Sequence, residues 1–166
     1  MDRILKQDEG VLVTLEDMLV KKTVFGLNYS GLRGRVTPQE MVKREIRALQ
    51  LLADVPGIQR FVRRESADTF FSEYMAGNSL RTSRSMDAVY FNKLAEIVRQ
   101  CLCRGVYRLG QNRDDFIVSP EGDPKIIDFG NILFFDDPTA KVLGIVYLVE
   151  IYNLTRVWDL QRRYAS

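Results

Sequence analysis

The sequence predicts an α+β fold, a five-stranded antiparallel sheet carrying one helix and followed by a reduced helical half. Three observations carry this expectation. Short β-prone runs at 3–6, 11–15 and 18–24 are separated by turns and read as a three-strand meander. Thr37-Pro38-Gln39-Glu40 then announces a helix, and two more strand-like runs, 59–63 and 69–74, follow before the next helical pattern.

Each element has a local reason. Gln7-Asp8-Glu9-Gly10 turns the first run into the second, and Glu16-Asp17 turns the second into the third. The glycine-bearing stretch 26–35 reads as a linker-like loop. In the capping box, Thr37 supplies the N-cap hydroxyl, Pro38 fills the first helical position and Glu40 stands three residues after the cap. That helix is expected to run to about Ala53 on a stripe of Val42, Ile46, Leu49 and Ala53, with Glu45 beside the stripe and able to face inward. Pro56-Gly57 ends the helical region, and Ala76-Gly77-Asn78 breaks the fifth strand.

In the second half, Tyr90, Leu94, Ile97, Val98 and Cys101 recur at helical spacing over 86–103, and Gly105 is placed to stop the helix. Residues 116–118 and 125–127 form a hairpin-like pair around Pro120 and Pro124. Asp137-Pro138 starts a last helix that is apolar almost all round as far as Leu154 and is read as core.

Composition bounds the function. At 166 residues the chain suits a single domain, and 46% hydrophobic with 28% charged residues suits a folded one. A formal charge of +2 is too small to suggest nucleic acid, and the short basic runs at 60–64 and 162–163 read as solvated faces. The absence of histidine excludes the usual hydrolase triads and disfavours zinc. Cys101 and Cys103 point in different directions on one helix and are expected to be reduced packing residues. No stretch reaches the ~20 apolar residues of a membrane span, and the start lacks a signal peptide, so the expectation is a cytoplasmic protein.

The chemistry therefore rests on carboxylates, lysine and arginine. Asp128-Phe129-Gly130, entered from the apolar Ile126-Ile127, is the most informative triplet: a buried strand delivers one carboxylate to a fixed point and a glycine lets the chain turn away. With the strand lysine in Leu19-Val20-Lys21-Lys22, the glutamate in Lys43-Arg44-Glu45-Ile46 and the exit Phe71-Ser72-Glu73-Tyr74-Met75, the order of elements resembles the protein kinase-like superfamily. It resembles in particular small bacterial and archaeal branches such as the RIO kinases and the lipopolysaccharide core (Kdo/heptose) sugar kinases. The resemblance runs from about Leu5 to Asp137 and implies a minimal two-lobe, single kinase-like domain, with 1–75 as the amino-terminal lobe and 76–166 as a truncated carboxyl-terminal lobe.

It also implies roles. Lys21 matches the lysine that contacts the α- and β-phosphates of ATP, Glu45 the glutamate that holds it, and the backbone of Glu73 to Met75 the hinge that binds adenine. Asp115 and Asp128 would be hard oxygen ligands for Mg²⁺ or Mn²⁺. Three departures stand beside these matches. Arg108 occupies the place of the catalytic-loop histidine and Gly110 that of its aspartate, which leaves Asp114 or Asp115 to be recruited as base. The Asp8-Glu9-Gly10 turn is acidic and poor in glycine where phosphate is expected, and no room remains for a large substrate lobe. Arg113 is expected to pair with its neighbour Asp114.

Three readings stay open at this point: a minimal ATP-dependent phosphotransferase acting on a protein Ser/Thr or a sugar or glycan hydroxyl, a nucleotide-binding pseudokinase, and an unrelated structural domain. The last requires Lys21 and Glu45 to lie far apart and face solvent.

Overall fold

A computed structural model of the chain describes residues 3–8, 10–26, 36–83, 86–108, 112–136 and 156–164. The strands β1 (Arg3–Gln7), β2 (Val11–Glu16) and β3 (Leu19–Val24) form the expected meander. A two-residue turn joins the last two: Asp17 and Met18 both take positive φ, 46° and 66°, the twist that suits a tight hairpin. Met18 therefore belongs to the turn and not to the strand.

Helix α1 (Pro38–Leu51) begins where the capping residues place it, with Thr37 Oγ1 accepting the Glu40 N–H at 3.2 Å. Its buried face is Met41, Val42, Glu45, Ile46, Ala48 and Leu49. It ends two residues before the expected Ala53, at the C-cap Leu52, whose N–H donates to Ala48 O. Strands β4 (Phe61–Arg64) and β5 (Thr69–Glu73) complete a five-stranded antiparallel sheet in the order β1-β2-β3-β5-β4. Gln59, expected to open β4, lies outside it and is buried, its Nε2 donating to Glu73 O at 3.0 Å.

Residues 1–53, 59–74 and 129–131 make up one compact unit, and residues 54–58, 75–128 and 132–166 a second. In the second, β6 (Asn78–Ser79) precedes α2 (Ala88–Cys103), which is capped by Asp87 Oδ1 on the Tyr90 N–H at 2.8 Å. Gly105 follows the helix at φ 72°, as its stop position requires. The chain continues through β7 (Val106–Arg108), a 3-10 turn at Arg113–Asp115, β8 (Phe116–Val118), β9 (Pro124–Ile126) and β10 (Ile132–Phe134). The β8–β9 hairpin matches the expectation. It also recruits β6 as a third strand, while β7 and β10 pair with each other; neither pairing was expected.

Helix α2 buries Tyr90, Phe91, Leu94, Ile97, Val98, Cys101 and Leu102 against β7 and β9. Cys101 is buried and Cys103 exposed, both as free thiols. A helix covers 156–164. The expected start of the last helix at Asp137-Pro138, its run to Leu154 and most of the 26–35 loop lie outside the described residues. Among the described residues no helix is long and apolar enough to cross a membrane.

Candidate functional site

Strand β3 decides which lysine is internal. Successive side chains alternate between faces, and Val20, Lys22 and Val24 are the buried set. Lys22, 7% exposed, donates from Nζ to Glu45 Oε1 at 3.0 Å and stands 2.8 Å from Oε2. Glu45 is 3% exposed, and its Oε1 also accepts the Phe129 N–H at 3.1 Å. The carboxylate thus joins a β3 lysine to the backbone of the Asp-Phe-Gly triplet inside the first unit. A buried ion pair persists only when its remaining polar atoms are satisfied, and the Phe129 amide supplies one such bond.

Lys21, expected to be held by Glu45, is not its partner. It lies on the opposite face of β3, where its Nζ is 2.9 Å from Glu65 Oε2 and 3.9 Å from Glu16 Oε1. With Arg63 it covers the ring of Phe71, at 5.4 and 3.8 Å from the centroid. The inward glutamate was legible as a position beside the α1 stripe, but its partner is the next lysine along. The signal for Lys22 is Val20-x-Lys22-x-Val24: two apolar residues at period two flank it, whereas Lys21 alternates with Leu19 and Thr23.

In the β1–β2 turn the amides of Gly10 and Val11 are satisfied from within. Asp8 Oδ1 accepts the N–H of Gly10 at 3.0 Å and of Val11 at 2.9 Å, and the Asp8 N–H donates to Val11 O. At Gly10 the chain passes close to its neighbour, since a Cβ there would sit 3.3 Å from Gly26 O. At the expected hinge, the Glu73 N–H donates to Arg60 O at 2.9 Å and its carbonyl accepts from Gln59, so its amide is committed. The backbone of Met75, in the second unit, has no hydrogen-bond partner among the described residues.

In the second unit the left-handed residue of the triplet is Asp128 itself, at φ 62°; Gly130, expected to make the turn, is not among the glycines with positive φ. Aspartate is one of the few side chains enriched in this region, and such strain gathers at functional corners. Arg108, 3% exposed, reaches Asp115 Oδ2 at 3.0 Å and the carbonyls of Ile127 and Asp128 at 3.2 and 3.0 Å. Asp115 Oδ2 also accepts the Asn112 N–H at 2.9 Å.

The carboxylates considered as bases are therefore engaged. Asp114 is exposed and held by Arg81, whose Nε lies 2.8 Å from Oδ2 and 2.9 Å from Oδ1, with Ser79 Oγ at 3.2 Å. Arg113 does not take this role; its Nη1 donates to Tyr164 Oη at 2.7 Å. On Asp115, Oδ2 already receives both the Arg108 guanidinium and the Asn112 amide. Among the described residues no group of three or more acidic or cysteine side chains is set to hold a metal. Gly110 lies outside the described residues. The contacts of Arg108 had no signal in hydrophobic periodicity; the resemblance placed it only at the catalytic-loop histidine.

No protein-family model matches the sequence, and no curated protein does. Solved structures do. The Rio2 kinase from Chaetomium thermophilum superimposes with a TM-score of 0.67 at 17% identity, over 99% of this chain and 57% of that one. The ADP/Mg²⁺-phosphoaspartate complex of the same fungal kinase gives 0.64 at 17% identity, over 99% and 56%. The chain thus spans less than two thirds of the length of the proteins it resembles, and what they share with it is the α+β, protein kinase-like fold.

Proposed function

We propose that the chain is a minimal, kinase-like phosphotransferase that binds ATP with a divalent cation and passes the γ-phosphate to a protein Ser/Thr or sugar hydroxyl. The observation that carries this reading is the buried Lys22–Glu45 pair with the Phe129 N–H on the same carboxylate. A lysine buried at this cost against one glutamate is preorganised to present charge to phosphate oxygens without moving. In this reading Lys22 holds the α- and β-phosphates, Glu45 positions it, and the backbone of Met75 meets the adenine edge. Asp128 offers a hard oxygen to Mg²⁺ or Mn²⁺, which when bound neutralises phosphate charge. The Rio2 neighbour solved with ADP and Mg²⁺ supports the nucleotide and cation.

A second reading, a nucleotide-binding pseudokinase, has its own observation. Asp114 and Asp115 are each taken up by an arginine, and Asp8 occupies the turn amides that would face phosphate. One experiment separates the readings. The purified chain is incubated with Mg²⁺ or Mn²⁺ and γ-labelled ATP beside Lys22→Met and Asp128→Ala. Nucleotide-dependent stabilisation with labelled product, both lost in the variants, is the outcome for transfer. Stabilisation without product or hydrolysis leaves the pseudokinase, and no stabilisation removes both readings.

A further inference from the structure

Arg108 and Asp115 form a second internal ion pair, with side chains 4% and 17% exposed, inside the unit that carries Asp128. Their contacts tie together two chain segments. The Arg108 Nη2 is shared among Asp115 Oδ2, Ile127 O and Asp128 O, and the Ile127 N–H returns to Asp115 O at 2.9 Å. One guanidinium edge therefore fixes the carbonyls on either side of the left-handed Asp128 Cα, and the 3-10 turn supplies its counter-charge. Its charged carbon also lies 5.5 Å from the Phe116 ring centroid, on an apolar wall.

This arrangement sets a fixed positive charge against a cation at the Oδ2 of Asp115. A divalent cation on Asp115 Oδ2 would stand beside a guanidinium only 3.0 Å from that oxygen, in a water-poor setting where like charges repel strongly. Binding it would require Arg108 to leave, and with Arg108 both carbonyl contacts. We propose that Arg108 is the positioning residue of the Asp128 corner and Asp115 its counter-charge, so that Asp128 alone of the two serves a cation bound with nucleotide. This rests on the nucleotide-binding reading above.

The test counts Mn²⁺ by electron paramagnetic resonance in the presence of a non-hydrolysable ATP analogue. Wild type binds one Mn²⁺ and Asp128→Asn loses it, whereas Asp115→Asn, which keeps a side-chain oxygen for Arg108 but orphans its charge, still takes up one ion at reduced affinity. Arg108→Met combined with Asp115→Leu removes both charges and leaves none orphaned, so the fold persists. Its Mn²⁺ affinity falls about 10-fold or more, as for loss of a supporting partner, and Arg108→Lys alone recovers part of it. A second Mn²⁺ that disappears in Asp115→Asn overturns the proposal, as does wild-type affinity in the double variant. Wild type that binds nucleotide and no Mn²⁺ overturns the proposal and the cation role of Asp128, and leaves nucleotide binding standing. No nucleotide binding by wild type overturns the reading beneath it as well.

Discussion

Lys21 and Lys22 are adjacent in sequence and opposite in environment, and that difference is the sharpest statement the molecule makes at the scale of a residue. Removing one partner of a buried pair leaves an uncompensated charge, so Lys22→Met is expected to cost about 3–5 kcal/mol in urea unfolding. Lys21→Met breaks partly exposed pairs and is expected to cost less than about 1 kcal/mol. A two-lysine strand offers two matches to the motif, and only the period-two partners Val20 and Val24 separate them. Cysteine exposure makes a second test. Burial pushes the Cys101 thiol up to about 11, while Cys103 lies on the exposed face of the same helix. Alkylation of the native chain at pH 8, read by peptide mass, is expected to label Cys103 and spare Cys101.

Elements differ in how openly the sequence declares them. The α1 start was legible because a cap hydroxyl, a proline and a glutamate all report one local event, and Thr37→Ala is expected to cost about 1 kcal/mol. Strands β6, β7 and β10 were not legible: each is two or three residues long and is defined by a partner far away in sequence. Gly77 shows what such a pairing demands. It takes φ 144°, and a Cβ there would lie 2.2 Å from Val118 O, so Gly77→Ala should exceed about 3 kcal/mol by breaking β6 from β8. Gly122 takes φ 85° with nothing within 4 Å, and Gly122→Ala should cost only the backbone term, about 1–2 kcal/mol. The turn between β4 and β5 adds a pH test. Hydrogen bonds from Ser66 and Thr69 hold the Asp68 carboxyl below its usual range. A depressed carboxylate stabilises the fold above its unfolded pKa and loses that contribution as pH falls through the folded value. The melting-temperature gap between wild type and Asp68→Asn should therefore shrink on acidification from neutral pH.

For the whole molecule, the order of elements carried more than any one motif. The sheet with one helix was readable from turns, caps and alternation, and the same order led to the kinase-like fold that the Rio2 structures share. The chemistry was less readable, because it depends on side chains whose partners are set by packing: Lys22 on Glu45, Arg108 on Asp115, Arg81 on Asp114. The central claim, that nucleotide phosphates are met by Lys22 and not Lys21, is tested most directly by calorimetric titration of Mg·ATP. The titration compares wild type, Lys21→Met, and Lys22→Met combined with Glu45→Gln so that no buried charge is orphaned. The account predicts that Lys21→Met binds as wild type does and that the Lys22 variant, folded by circular dichroism, binds at least about 10-fold more weakly, the scale of a lost charged hydrogen bond. Loss of binding in Lys21→Met with retention in the Lys22 variant would contradict it, as would a wild-type chain that takes up no nucleotide.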